Sequence, residues 1–268
     1  MIKLVPSEGL CNRMRVIESA IFLSELFDVE LKIYWAPDKG MNHKFIDLFE
    51  PIMSSGVSLE CVDKAPSLFK KGSINNLYIP SLRRMIKGYD FLDGKNSLST
   101  YDFSKLTKNG KVAIKTCHRL YDSAHNYNCF TPIEEVRERI EVRSQAFNQH
   151  TIGVHIRRTD HKNAIRFSPN QLFFEAMESE LNKNSETNFY LASDCEKTKS
   201  DFKSKFGDAL SYAVEIPTRD TLEGIQDAMV ELYCLARTKK VYASYWSSFS
   251  VTAAEIGGVE KITLSIRE

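Results

Sequence analysis

Two adjacent arginines follow a short apolar segment in the second half of the chain. Residues 151–156 are mostly apolar and β-favouring, and Arg157 and Arg158 come directly after them. This pattern predicts a buried strand of a parallel sheet with two guanidinium groups at its carboxyl end. Guanidinium groups stay charged and bind phosphate oxygens in a bidentate way, so the pair suits a diphosphate. The alternative is a solvated surface pair, which the preceding apolar run disfavours.

A second polar cluster follows a predicted strand at 241–244 and precedes a predicted helix. Its members are Tyr245, Trp246, Ser247, Ser248, Phe249 and Ser250. Hydroxyls and free backbone amides at a helix N-terminus favour an anion. N-capping by one serine is the simpler alternative for each residue taken alone. Because the carboxyl ends of parallel strands meet at one edge of a sheet, the serines and the arginines together predict a phosphate-binding crevice.

Carboxylates and hydroxyls occur at two other places in this half of the chain. Ser193 and Asp194 follow the predicted strand at 189–192. Asp227 and Glu231 lie four residues apart on a predicted helix, where like charges repel. Either these two carboxylates form a solvated face, or one of them accepts hydrogen bonds from a base or a ribose.

The first turn of the chain is the remaining candidate. A strand at 2–5, a helix to about 28 and a strand at 31–35 form a βαβ opening. Its first turn contains Gly9, Asn12 and Arg13. Backbone amides beside a helix N-terminus can hold a phosphate or sugar oxygen. The alternative is ordinary turn chemistry, with a tight bend at the glycine and a cap at the asparagine.

Alternating strands and helices position the candidates of the second half. Strands are predicted at 151–157, 189–192, 211–215, 241–244 and 262–265, with helices at 169–182, 195–206, 221–236 and 248–256. Ser168 and Pro169 are interpreted as the N-cap and first helical residue of the helix that follows the arginines. Strict alternation predicts a parallel sheet with helices on both faces. We place a domain boundary near 148, after a helix at 132–147, which gives domains 1–148 and 149–268. The middle of the first domain is irregular, with a short candidate strand at 77–79 and aromatic residues that belong to the core or stack on sugars.

Composition excludes several classes of protein. The chain has 268 residues, 43% hydrophobic and 26% charged, with a net charge of +1, so no basic field indicates a nucleic acid partner. No apolar run reaches the roughly 18 residues of a transmembrane helix, and the N-terminus does not resemble a signal peptide. The six cysteines are scattered without a Cys-x-x-Cys pair, which disfavours a zinc site and makes the cytoplasm the default location. No Gly-x-Gly-x-x-Gly follows a predicted strand, which disfavours a dehydrogenase. The oligomeric state is left open.

Four segments, in order along the chain, resemble motifs of the fucosyltransferases that use GDP-fucose, including the α1,6, α1,2 and protein O-fucosyl branches. The segments are 9–13, 155–160, 191–194 and 231–235 continued at 245–250. The segment at 155–160 is most similar to the α1,6 branch. Two departures stand out: Cys195 occupies the place of a usual second aspartate, and the loop 161–166 is one residue shorter and lacks a glutamate.

The resemblance implies a GT-B type α/β fold of two Rossmann-like domains, with the nucleotide sugar in the C-terminal domain and the acceptor on the N-terminal side. By position, Arg157 is expected to bind the diphosphate and assist the departing GDP, and His155 to line the nucleotide pocket. Ser248, with Ser247 and Phe249, is expected to hold phosphate. Glu231 is expected to read guanine, and Arg158 and Asp160 to brace the loop.

The expected reaction is transfer of fucose from GDP-fucose to a hydroxyl of a glycan acceptor, with inversion. No Asp-x-Asp occurs in the chain, so no metal cofactor is expected and the arginines would neutralise the leaving diphosphate. Asp160, His161 and Glu8 are candidates for the general base. The alternatives are a transferase that uses another GDP-sugar, and a nucleotide-binding or glycan-binding module without catalysis.

Overall fold

The computed structural model describes residues 1–69, 88–106, 110–122, 125–159 and 161–266. The chain divides into two compact units, Met1–Pro132 and Ile133–Glu268. The division falls before the predicted boundary at 148 because the helix at Glu134–Ser144 packs against the helix at Leu222–Ala236 and so belongs to the second unit. The candidate strand at 77–79 and the candidate residue Asp160 lie outside the described residues.

The first unit contains a five-stranded parallel sheet with the order β3-β2-β1-β5-β4. Its strands are β1 (Ile2–Pro6), β2 (Leu31–Trp35), β3 (Val57–Cys61), β4 (Asp90–Asp93) and β5 (Val112–Thr116). Helix α1 (Leu10–Leu26) connects β1 to β2, and the short helix α2 (Lys95–Thr100) follows β4. The predicted βαβ opening is therefore confirmed. β1 is the central strand of the sheet, paired with β2 on one side and β5 on the other, and four of its five residues are buried.

The second unit contains another five-stranded parallel sheet, with the order β10-β9-β6-β7-β8. Its strands are β6 (Ile152–Ile156), β7 (Phe189–Ser193), β8 (Leu210–Tyr212), β9 (Lys240–Ala243) and β10 (Glu260–Thr263). Its helices are α3 (Glu134–Ser144), α4 (Lys162–Phe167), α5 (Asn170–Lys183), α6 (Glu196–Phe206), α7 (Leu222–Ala236) and α8 (Ser248–Gly257). The alternation predicted from residue 151 onward is confirmed, whereas α4 was not predicted.

The two faces of β6 carry different residues, which decides where its last side chains lie. Ile152, Val154 and Ile156 are buried in a core that also contains residues of α5 and α6. The intervening Gly153 faces α7, where an added Cβ would lie 3.0 Å from the Leu235 side chain. Because side chains alternate along a strand, His155 lies on this second face. Among the helices that the structure describes, none is long and apolar enough to cross a bilayer.

Candidate functional site

Three polar segments meet at the carboxyl edge of the second sheet because β9, β6 and β7 are adjacent and parallel. The turn after β6 is tied to both neighbours. The Arg157 backbone N–H donates to Ser244 Oγ at 3.1 Å, on the β9 side. On the β7 side, Asp194 accepts from the Arg158 backbone N–H at 2.7 Å and from Thr159 Oγ1 at 2.7 Å. Asp194 therefore organises the turn, and Ser193, the last residue of β7, is buried.

Arg158 braces this turn from within the protein. Its Nε donates to Asn170 Oδ1 at 2.9 Å, its Nη1 to the Arg157 carbonyl at 2.8 Å and its Nη2 to the Ser168 carbonyl at 2.7 Å. Burial lowers the pKa of its guanidinium, with Asp194 opposing that shift. Since these groups already accept its hydrogen bonds, Arg158 connects the β6 turn to the start of α5.

Arg157 lies beside a buried histidine. His155 is 7% exposed, and burial, followed by the charge of Arg157, lowers the pKa of the imidazole to about 4. The ring is therefore neutral at pH 7. It stacks on Phe249 with a centroid distance of 4.8 Å, and its Nδ1 lies 3.4 Å from Ser247 Oγ. The structure thus brings together His155, Arg157, Ser247 and Phe249, as the sequence predicts.

The N-terminus of α8 reaches this cluster. Ser247 occupies the N-cap position, and within the described part of the chain its side chain makes no capping hydrogen bond. Ser250 Oγ, one turn further, donates to the Ser247 carbonyl at 3.2 Å. The first amides of a helix have no partner within the helix. The amides that begin at Ser248 are therefore suited to bind an anion beside Arg157.

Tyr245 and Ser168 hold the turn that leads into α8. The Tyr245 backbone N–H donates to Ser168 Oγ at 2.8 Å, and Ser168 Oγ in turn donates to the Leu264 carbonyl. Ser168 was predicted to cap the following helix. That interpretation is wrong, because Pro169 is the N-cap and α5 begins at Asn170. The serine hydroxyl instead joins the ends of two strands, which its local sequence does not indicate.

Glu231 is enclosed by protein. It is 3% exposed, and its Oε1 lies 3.3 Å from Nζ of the equally buried Lys199. Burial raises the pKa of Glu231 to about 7, and the charge of Lys199 opposes this shift. The solvated-face alternative is therefore wrong, and Asp227 is also buried, paired with Arg139. The carboxylate is not presented to a ligand as a guanine-reading group would be.

Lys199 was not a candidate, yet it connects three elements. Besides Glu231 on α7, its Nζ reaches the Ala213 carbonyl at 2.9 Å and the Glu215 carbonyl at 2.7 Å. It thereby fixes the segment that follows β8. A lysine in the polar sequence of α6 resembles any surface lysine, so its burial has no signal in the sequence.

Arg13 belongs to the first unit and is fully buried, at 0% exposure. Its Nε donates to the Glu8 carbonyl and its Nη1 to the Ala36 carbonyl, both at 2.9 Å, and it forms an ion pair with Asp38 at 2.8 Å. Its guanidinium also stacks over Trp35, 4.7 Å from the ring. The group holds the first turn together and is not presented to a ligand. Gly9 is the half-buried N-cap of α1, and Asn12 is half-buried in its first turn.

His161 occupies the N-cap of α4. Its Nδ1 accepts a hydrogen bond from the Ala164 backbone N–H at 3.0 Å. In a neutral imidazole whose Nδ1 accepts, the proton is on Nε2, which is then a donor. In this geometry His161 supplies a hydrogen-bond donor rather than a general base. Among the described residues, no group of three or more His, Cys, Asp or Glu side chains is arranged to hold a metal ion.

Comparison with known proteins adds information about the fold. No family model matches the sequence, and no curated protein matches it significantly. The fucosyltransferase NodZ from Bradyrhizobium is similar over 94% of this chain and 92% of that chain, with a TM-score of 0.64 and 18% identity. Arabidopsis thaliana FUT1 in complex with GDP matches over 98% of this chain and 69% of that chain, with a TM-score of 0.67 and 16% identity. POFUT1 matches over 98% of this chain and 97% of that chain, with a TM-score of 0.57 and 9% identity.

The chain has the fold of these fucosyltransferases. The resemblance stated from the motifs is thus confirmed for the fold, although sequence identity is at most 18% among these three. The match to NodZ extends over nearly the whole of both chains. Both parallel-sheet units therefore belong to the shared architecture.

Proposed function

We propose that this protein is a glycosyltransferase of the GT-B type that transfers fucose from GDP-fucose to a hydroxyl of a glycan acceptor, with inversion and without a metal ion. The observation that carries this proposal is the cluster at the carboxyl edge of the second sheet. There an arginine and a neutral histidine lie beside the N-terminus of α8, whose N-cap serine makes no capping hydrogen bond among the described residues. Such groups bind the diphosphate of a nucleotide sugar.

The proposed reaction uses this arrangement. The acceptor oxygen attacks the anomeric carbon on the face opposite the diphosphate, and the bond between that carbon and the phosphate oxygen breaks. GDP leaves with the electron pair, and the acceptor proton passes to a base. Arg157 and the first amides of α8 stabilise the negative charge that grows on the diphosphate, which is the work that a divalent cation does in other transferases. His155 is neutral and adds no charge of its own.

The choice of donor is supported by the structural neighbours. NodZ α1,6-fucosyltransferase has been soaked with GDP-fucose and co-crystallised with GDP, and FUT1 and POFUT1 have been crystallised with GDP. These proteins share the fold of this chain. The motif that contains Arg157 also resembles the α1,6 branch most closely.

Calorimetric titration with three donors tests the proposal. GDP-fucose is expected to bind more tightly than GDP-mannose, and a UDP-sugar such as UDP-glucose is expected not to bind. Incubation with GDP-fucose should release GDP, either by slow hydrolysis or by transfer to an added glycan. Preference for another GDP-sugar would assign a different donor. Binding of GDP without any turnover, with hydrolysis and a panel of glycan acceptors both negative, would make the protein a binding module.

A further inference from the structure

Trp246 stands out in the turn between β9 and α8. It is 73% exposed, whereas Trp35, the other tryptophan, is 1% exposed. Its backbone has a φ of +54°, in the left-handed region that bulky residues rarely adopt. Strained residues of this kind persist where the surrounding structure holds them, and they are concentrated at ligand sites. Here Ser168 Oγ holds the Tyr245 amide on one side, and Ser247 is buried on the other.

Trp246 lies in the chain between two residues of the candidate phosphate site. Its neighbour Ser247 occupies the N-cap position of α8, and Ser244, two residues before Trp246, accepts the hydrogen bond of the Arg157 amide. Two rings contact the indole in T-shaped arrangements, His161 at a centroid distance of 6.5 Å and Tyr245 at 6.2 Å. Most of the indole surface is still open to solvent. With Nδ1 accepting from Ala164, His161 has Nε2–H as a hydrogen-bond donor in its neutral form.

We infer that Trp246 and His161 form the subsite for the sugar carried by the donor, with the indole against an apolar surface of a 6-deoxyhexose and His161 Nε2 donating to one of its hydroxyls. The inference rests on the proposed function and extends it to the recognition of the sugar. The sugar of a nucleotide donor is attached directly to the second phosphate. Trp246 immediately precedes Ser247, the N-cap of α8. A diphosphate bound at the N-terminus of α8 would therefore place this sugar near the indole.

The chemistry of the two side chains fits such a sugar. An indole has a large apolar surface at low conformational cost, and it is strongly stabilised when that surface leaves water. A 6-deoxyhexose has a methyl group where mannose has a hydroxymethyl group, so it offers more apolar surface and no hydroxyl to desolvate there. Trp246 is thus expected to favour fucose over mannose on the same nucleotide.

The test compares two ligands that differ only in the sugar. GDP-fucose and GDP are titrated calorimetrically into the wild type, Trp246→Ala and Trp246→Gly. The glycine variant accepts the left-handed backbone without strain, so loss of the ring is separated from loss of the turn. Both variants are expected to bind GDP-fucose about tenfold more weakly. This factor corresponds to the free energy of one aromatic contact and of the apolar area that it buries. GDP affinity is expected to change less than about twofold.

Fluorescence gives an independent readout because the chain has two tryptophans. GDP-fucose should change the emission of the wild type more than GDP does, and Trp246→Phe, which leaves only the buried Trp35, should lose this difference. Equal weakening of GDP and GDP-fucose would overturn the inference by placing Trp246 in the nucleotide site. Unchanged affinity for both ligands would also overturn it. Failure of the wild type to bind GDP at all would instead reject the proposed function.

Discussion

Arg13 and Arg157 are both arginines near the first turn after the central strand of a parallel sheet, but their surroundings differ. Arg13 is fully buried, and its Nε, Nη1 and Nη2 contact Glu8, Ala36 and Asp38. The Arg157 turn is held by its backbone amide and by the side chain of Arg158. In the first unit the cation maintains the turn. In the second unit a neighbouring arginine does so, and Arg157 is placed beside His155 and α8.

The helix N-termini of the second unit show the same contrast. Thr221 caps α7, since its side chain accepts from the Gly224 backbone N–H at 3.1 Å. Ser247 occupies the equivalent position of α8 without such a bond among the described residues, and its hydroxyl faces His155 instead. Hydroxyl side chains at equivalent helix positions therefore have different partners. Thr221 bonds its own helix, whereas Ser247 contacts His155.

The largest expected effect is that of Arg157→Ala on turnover. Removing one preorganised donor from a developing anion costs roughly 10²–10³ in rate, so fucose transfer should fall by that factor. The thermal unfolding midpoint of the variant is measured in parallel, so that loss of the fold is distinguished from loss of the rate. The matched control is Arg237→Ala. Arg237 is an exposed arginine at the C-cap of α7 and pairs with Glu141. If both variants keep wild-type rates, the role of Arg157 is wrong.

Arg13→Met should lower the stability of the fold and leave ligand binding unchanged. Loss of the buried guanidinium removes the donor to two carbonyls and the ion-pair partner of Asp38, which keeps its hydrogen bonds from three backbone amides. Such a change costs about 3 kcal/mol of unfolding free energy. Urea denaturation measures the loss, with Lys105→Met at an exposed site as the control. The GDP affinity of the folded variant should match that of the wild type. A stable variant with weak GDP binding would show that Arg13 is a ligand-binding residue after all.

His155→Phe tests the burial of the imidazole through pH dependence. The folded-state pKa of about 4 lies below the ordinary value of 6.5, so the unfolded chain takes up a proton first as the pH falls. Wild-type stability is therefore fully present above pH 6.5 and declines as the pH falls toward 4. Between pH 6.5 and 5 the wild type should lose about 1.5 kcal/mol relative to the phenylalanine variant, which has an aromatic ring at this position but cannot titrate. Parallel urea titrations at these pH values would reveal no difference if His155 were solvated.

The smallest effects come from the two N-caps. Thr221→Ala should cost about 1 kcal/mol of stability and leave GDP affinity unchanged. Ser247→Ala should cost clearly less stability, because no capping hydrogen bond of this side chain occurs among the described residues, but it should weaken the binding of GDP. Denaturation and calorimetry on the same two samples provide the comparison. A larger stability loss for Ser247→Ala than for Thr221→Ala would assign an ordinary capping role to Ser247.

The sequence predicts the fold well where the pattern is regular. The alternating strands and helices from 151 onward, and the convergence of Arg157, His155 and Ser247, follow from strand ends meeting at one edge. The burial of charged side chains is not predicted by the sequence. Arg13, Lys199 and Glu231 are buried through contacts between segments far apart in the chain. The same residue types would suit a solvated surface or a ligand site. Local pattern therefore predicts where a polar residue lies, but not which groups already bind it.

Calorimetric titration of GDP into the wild type, Arg157→Ala and Arg237→Ala tests the central claim most directly. If Arg157 and the N-terminus of α8 bind the diphosphate, Arg157→Ala should raise the GDP dissociation constant at least about tenfold, and Arg237→Ala should leave it unchanged. Equal affinity of all three proteins for GDP would contradict the account.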